Sequence, residues 1–455
     1  MRSQTILLIL RMHFATLPHF KITTHLSKGV RMGIREGLQK VRRGFHRTFW
    51  VANGMELFER LAYYGQATVL SIYLRNTLHF TEIEAGQLSS IFGGLIYMLP
   101  IFAGTLADKF GFRKSFSIAF SILATGYFLI GSVGMDAFSG IYAGLPPYGL
   151  MTVFLIFTAI GGSFIKPSVL GTVAVTSSPE TKSLGYAIYY WLVNIGGAIG
   201  PVIAYLVRDE FGIQFVYVVS AVSCGLMLFV NFFFYKEVKD ATNDVVESLG
   251  TKMKNLVVIL GNVKFMVFLL IFSLYWIMFW QIFIIVPYYV TDFISKEAPF
   301  EIIESADAWG IIALQLVVNR LTRNLSPRTA IVSGFAISSL SWLLIALHPT
   351  VWTIIAGLVV FSIGEMTQAP RYYEYISDIA PKGQQGLFQG YAFLPVAIAW
   401  AIGGTFGGWL YATYALRAAS PGIVWYALFG VGVLATLLMA LYNKFVARQE
   451  ARAAA

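Results

Sequence analysis

The sequence predicts an all-α integral membrane protein, with twelve spanning helices in two bundles of six. Composition is the first reason: of 455 residues, 57% are hydrophobic and only 12% charged, about half the charged share of an ordinary soluble domain. Apolar runs of roughly twenty residues also recur along the whole length, and that is the length a helix needs to cross hydrocarbon. Finally, basic residues collect in alternate loops, the asymmetry that orients a chain in a bilayer. The net charge of +10 therefore points to a membrane surface, and no nucleic-acid partner is expected.

Residues 1–48 are basic and lack a periodic pattern. Their TILLIL run is too short for the core of a signal peptide and is interrupted by Arg11. A cytoplasmic tail is expected here, with Met32 as an alternative start. The first six spans fall at about 50–75, 84–108, 114–135, 148–174, 182–207 and 211–236, within a bundle covering 49–236. The polar stretch EVKDATNDVVESLGTKMKN makes 237–263 a cytoplasmic linker. The second bundle, 264–446, holds spans at about 264–292, 302–324, 328–347, 350–374, 384–412 and 422–446. Its second span is the weakest of the twelve, because WGIIALQLVVN is a short apolar core. Residues 447–455 form a closing basic tail.

With the amino terminus inside, the cytoplasmic segments carry Lys109, Arg113, Lys114, Lys182, Lys236, Lys239, Lys252, Lys254, Arg320, Arg323, Arg328 and Lys382. The outer loops keep only Arg75, Arg208, Lys296 and Arg417. Both termini are thus expected in the cytoplasm of a cell whose inner membrane the chain crosses. Cys224 is the sole cysteine, so no internal disulfide forms. The six histidines lie in the tail or near loops, which leaves any proton pathway to carboxylates. Paired glycines inside spans, such as Gly196–Gly197 and Gly403–Gly404, let helix backbones approach closely in lipid.

Six spans, a polar linker and six more spans is the plan of a major facilitator transporter, with a substrate site between the halves at mid-membrane. The loop GTLADKFGFRK, residues 104–114, closely resembles that superfamily's loop signature. There Asp108 and Arg113 are placed to brace neighbouring helix ends, and Gly111 permits the tight turn. The resemblance implies a conformational, gating role for this loop.

Inside the spans lie charges that lipid does not tolerate cheaply. Glu56, Glu59, Arg60, Tyr63 and Ala67 follow a three-four spacing on one face of the first span, with Tyr64 beside it. Lys166 sits deep in the fourth span, and Glu365 near the middle of the tenth. Each charge costs about 2.5–3.5 kcal/mol at a helix centre, so the five must face one another or a wet cavity. Two acids balance two bases, and protonating one acid frees a positive charge. That is a physical basis for coupling protons to an anionic group on a substrate. A closed structural salt-bridge cluster is the alternative.

ELFERLAYYG resembles the E-x-x-E-R motif of the proton-coupled oligopeptide transporter family. GGSFIKPSV resembles its fourth-helix lysine segment, YAIYYWLVNIGGAIGP its fifth-helix signature, and GEMTQAP with DIAPKG its tenth helix and following loop. The resemblance runs from about residue 49 to the last span. It implies that Glu56, Glu59 and Arg60 couple protons, and that Lys166 holds the peptide carboxylate or meets the acidic motif. It further implies that Tyr63, Tyr64 and Asn194 line the peptide site and that Glu365 meets the peptide's amino group. For the tyrosines the alternative is helix packing, for Asn194 an interhelical hydrogen bond, and for Glu365 a structural role.

The chain departs from that family in two places. Ala67 stands where many peptide transporters have an arginine, and Trp280, before Gln281, stands where they have a seventh-helix glutamate. The two absent groups have opposite charge, which reads as the concerted loss of an outer salt bridge. At the cytoplasmic end of the tenth span, PRYYEYISD adds Arg371 and Glu374 one turn apart. This is either a solvated helix end or an inner gate in which Arg371 reaches an acid of the other half, holding the cytoplasmic side shut.

The expected function is proton-coupled symport of di- and tripeptides by alternating access, by a monomer whose partners are substrate, protons and lipid. No cofactor or metal is expected. The alternative is the same fold moving another small organic anion, zwitterion or drug-like solute, without the usual proton coupling. An enzyme is disfavoured, since H-E-x-x-H, G-x-S-x-G and any Cys/His pair within the membrane are missing from the sequence.

Overall fold

A computed structural model describes residues 44–178, 180–238, 249–381 and 384–454. The side chain of Asp108 lies outside the described residues, as do most of the basic tail, Lys239 and Lys382. Everything below concerns the compact unit His46–Ala455.

Within it, nine helices among the described residues are long and apolar enough to cross a membrane, and a bent pair, Glu82–Met98 with Pro100–Ala107, makes a tenth. The first span, Arg47–Ile72, is outside that group because it carries Glu56, Glu59 and Arg60, and the eighth, Phe300–Glu304 with Ala306–Thr322, because its longer helix has only 17 residues. Together these make the expected twelve. The remaining spans are Phe112–Val133, Pro147–Thr176, Lys182–Phe211, Gln214–Phe234, Val263–Ile294, Pro327–Leu347, Val351–Ile379, Leu387–Arg417 and Ile423–Gln449.

Prolines break three of these spans in one way. Proline lacks the N–H that would bond the carbonyl four residues back, and its ring crowds that carbonyl. Pro167 accordingly follows the break between Ser163 and Ile165, Pro287 follows a distorted turn at Gln281–Phe283, and Pro395 follows a break at 391–393. These breaks put Lys166, Trp280 and Phe393 beside irregular backbone, and the Lys166 ammonium lies over the Phe393 ring.

Among the first six spans, the first packs on the fifth and sixth, and the third on the fourth and sixth. Among the last six, the ninth packs on the tenth and twelfth, and the seventh on the eleventh. The broadest contact between the sets joins Glu82–Met98 to Leu394–Leu410. A Cβ at Gly404 would stand 2.3 Å from the carbonyl of Gly86, so only glycine permits that approach.

In the loop signature, the guanidinium of Arg113 donates to the carbonyl of Phe232 at 2.6 Å. Gly111 adopts φ 86°, and the amides of Phe112 and Arg113 donate to the Glu237 carboxylate at 2.9 and 2.8 Å. A carboxylate thus caps the amino end of the third span, where the helix dipole favours it. The segment expected as linker also contains a helix, Leu249–Gly261. Its apolar residues cluster in the carboxyl-terminal half, where Ile259 is buried.

Candidate functional site

The first span lines up its charges because 3.6 residues make a turn. Glu56 and Glu59 are fully buried, and Arg60 is 3% exposed. Arg60 donates from Nε to Glu59 Oε2 at 2.6 Å, its Nη2 lies 2.5 Å from the same oxygen, and its Nε lies 3.4 Å from Glu56 Oε1. The guanidinium also stands 4.7 Å above the Tyr63 ring. Its backbone is pressed by the fifth span, since a Cβ at Gly196 would meet Arg60 Cβ at 2.4 Å. The glycine pair expected to serve packing therefore also positions the arginine.

Lys166 has no carboxylate within 4 Å among the described residues, yet it is within electrostatic reach of Glu56, Glu59 and Arg60. Its ammonium sits between two aromatic rings, 4.7 Å from the centroid of Tyr97 and 4.7 Å from that of Phe393. The second ring belongs to the other set of spans. Cation–π contacts of this kind hold a charge in a dry place without neutralising it, so the ammonium keeps its capacity to meet an anion.

Trp280 stands beside this cage. It stacks on Trp400 at 4.2 Å between centroids and contacts Tyr97 at 5.7 Å. An aromatic slab fills the place where an acid was looked for. Gln281 is structural, donating from Nε2 to the carbonyls of Ile277 and Gly403.

A second locus gathers Tyr64, Asn194 and Glu365 around a cavity of about 60 Å³, together with Phe279, Pro201 and Ile311. Asn194 donates from Nδ2 to the carbonyl of Tyr190 at 2.9 Å, leaving its amide oxygen uncommitted by that bond. Two further acids of the eighth span line this cavity, Glu304 and Asp307, and sequence reasoning missed them. The spacing Glu301, Glu304, Asp307 puts three acids on one helical face, a signal present in the sequence. These residues sit at the start of the weakest span, where acids are ordinarily solvated, and that position masks the signal.

At the end that loop charge assigns to the outside, other salt bridges join the two sets of spans. Arg75 grips Asp292 with two N–H groups at 2.7 and 2.8 Å, and Tyr411 donates to the same carboxylate at 2.8 Å. Arg208 donates two N–H groups to the fully buried Glu301. Further links between the two sets run from Ser71 to the carbonyl of Phe283, from Tyr288 to the carbonyl of Ser71, and between Ser90 and Thr405. Relative to Ala67 and Trp280, the Arg75–Asp292 pair uses the same two spans, displaced along them by about 12 and 18 Å at 1.5 Å per residue.

Arg371 lies at the other end of the spans. It donates to Glu374 at 2.5 Å on its own helix and to the carbonyl of Arg323 at 2.8 Å. Both partners belong to its own half, an arrangement compatible with a solvated helix end and with a gate that pairs across the halves only when that side closes. At that end Tyr190, Trp191 and Tyr373 are exposed, Trp191 by 55%. Among the described residues, the ion pairs Arg75–Asp292 and Arg208–Glu301 join the two sets at the Arg75 end.

A polytopic membrane protein with two sets of six spans and charged groups between them is a membrane transporter in form. A family model for the Major Facilitator Superfamily matches residues 55–301 and 296–454. The chain belongs to the Major Facilitator Superfamily, a family of transporters and not of enzymes. It is 29% identical over 198 residues to dipeptide and tripeptide permease A of Cronobacter turicensis, a match covering 43% of this chain and 37% of that relative. It is 28% identical over 192 residues to dipeptide and tripeptide permease A of Escherichia coli, covering 41% and 36%. The matched stretch thus spans little more than a third of these relatives' length. Among solved structures, a POT family transporter in complex with a thioalcohol conjugated peptide superposes with a TM-score of 0.72 at 18% identity, covering 88% of this chain and 96% of that one. A POT family transporter in complex with 5-aminolevulinic acid gives 0.71 at 17% identity, with the same coverage of both chains. At that identity the likeness is one of fold.

Proposed function

We propose that this chain is a member of the proton-coupled oligopeptide transporter family that imports di- and tripeptides with protons by alternating access. It works as a monomer in the cell's inner membrane with both termini in the cytoplasm. One observation carries the reading: an uncommitted ammonium, Lys166, stands in one half, and an uncommitted carboxylate, Glu365, stands in the other. A zwitterion needs such a pair, a cation for its carboxylate and an anion for its ammonium. The names of the sequence relatives and the ligands of the structural neighbours support the same substrate class.

In this reading Glu56, Glu59 and Arg60 couple protons. Proton arrival on Glu59 loosens Arg60, and the positive charge released in the cluster favours a substrate carboxylate at Lys166. Tyr63 supports Arg60, while Tyr64 and Asn194 line the path towards Glu365. The halves, 49–236 and 264–446, rock about this site, the linker 237–263 joins them, and Asp108 and Arg113 brace helix ends as they move. With the Arg75 end outside, the structure is inward-facing. Arg75–Asp292 and Arg208–Glu301 latch the outer side, and Arg371 with Glu374 serves the inner rim.

A second reading, in which the same fold moves another small zwitterion or anion, is favoured by the aromatic slab at Trp280 in place of an acid. Proteoliposomes distinguish the two. Under an inward proton gradient, the purified chain is expected to accumulate labelled alanyl-alanine, and Lys166→Ala to abolish accumulation while still inserting. Counterflow of 5-aminolevulinic acid but of no peptide would replace the first reading by the second.

A further inference from the structure

The central cavity has more acid than a zwitterion can use. Glu304, Asp307 and Glu365 all line it, and among the described residues no lysine or arginine does. Glu304 is 3% exposed and neither of its carboxylate oxygens has a hydrogen-bond partner. Asp307 is 7% exposed with Oδ1 unpartnered, and Glu365 Oε2 is likewise free. Of the bases nearby, Arg208 is spent on Glu301 and Arg60 on Glu59, while Lys166 stands apart from the cavity between the Tyr97 and Phe393 rings. Burying a carboxylate without a partner is costly, so a chain that keeps three of them around one cavity holds them for a positively charged visitor.

We propose that this cavity is a subsite for the cationic end of a substrate bearing two positive charges, a peptide whose first residue has a basic side chain or a related diamine. The inference rests on the reading of the chain as a peptide transporter and narrows its substrate class. Asp307 and Glu365 lie together and take the α-ammonium. Glu304, one helical turn further along the same face and about 4.5 Å away along the axis, takes the side-chain cation. Tyr64 and Asn194 supply polar walls. At about 60 Å³ the cavity has room for roughly four waters, enough for cationic groups but not for a whole peptide, so the rest of the substrate extends towards Lys166.

The test measures binding of lysyl-alanine, alanyl-alanine, 1,4-diaminobutane and butylamine to the purified full chain by calorimetry, before and after Glu304→Gln. Wild-type protein is expected to prefer lysyl-alanine over alanyl-alanine, and the diamine over the monoamine, by about tenfold, the yield of one charge-assisted hydrogen bond. Glu304→Gln, nearly the same shape, is expected to collapse both ratios towards one. Equal binding of lysyl-alanine and alanyl-alanine to wild-type protein overturns the subsite while leaving peptide transport standing. Diamine selectivity that depends on Glu304, with no peptide bound, upholds the subsite and removes the peptide reading. Ratios unchanged in Glu304→Gln and again in Asp307→Asn overturn it, and since wild-type selectivity is itself a test, misfolding of a variant does not shield the proposal.

Discussion

Removing the outer latch should open the outer side. Arg75 joins the end of the first span to Asp292 at the end of the seventh, so the bond must break whenever those ends separate. The Arg75 side chain is 11% exposed and Asp292 26%, and the guanidinium also lies 4.4 Å over the Tyr288 ring. Truncating one partner of a buried, hydrogen-bonded charge pair costs about 2–5 kcal/mol. Water reaches Asp292 and Tyr411 still donates to it, so the low end applies and Arg75→Ala should cost the closed state about 2 kcal/mol. At 1.4 kcal/mol per tenfold this is about a thirtyfold shift, taking an outward-open share of about 1% to about 20%. Arg208→Ala should act more strongly, because it strands Glu301 with no exposure at all. The assay is electron–electron distance measurement between spin labels at Leu145→Cys and Trp352→Cys, both exposed at that end on opposite halves, with the buried Cys224 replaced. A longer-distance population should appear in Arg75→Ala and grow in the double variant. Distances that stay unchanged in both, with transport unaffected, would refute the latch and return these pairs to ordinary surface ion pairs.

Three further outcomes follow from the site. Glu59→Gln keeps an acceptor for Arg60 but cannot titrate, so proton-driven accumulation in proteoliposomes should be lost while counterflow survives; accumulation under an imposed pH gradient would move the coupling site elsewhere. Glu365→Gln should weaken uptake of free-amine peptides about tenfold more than that of amino-blocked analogues, and equal losses would make Glu365 structural. Gly196→Ala places a methyl 2.4 Å from Arg60 Cβ, which forces the first and fifth spans apart. Overpacking of this kind costs about 1–3 kcal/mol, so the melting temperature and proton-coupled uptake should both fall, whereas Gly225→Ala, where a Cβ meets nothing within 4 Å, should change neither.

Much of this molecule is legible in its sequence because lipid is an unforgiving solvent. Apolar runs long enough to span, and basic residues sorted by loop, make twelve helices readable without coordinates. The same physics exposes Glu56, Glu59, Arg60, Lys166 and Glu365, since a charge inside an apolar run has no reading as mere surface. Near span ends that argument fails. Arg75 and Arg208 are read from sequence as outer-loop charges, and only folding shows that they pair with Asp292 and Glu301 across the halves. Glu304 and Asp307 were hidden for the same reason, at the start of a weak span whose depth depends on how its neighbours pack. The apparent loss at Ala67 and Trp280 was visible, but its compensation at Arg75 and Asp292 was not, because pairing across more than 200 residues is set by which helix ends the fold brings together. Sequence alone thus determined which groups cannot face lipid, and tertiary structure alone decided which partner each one found.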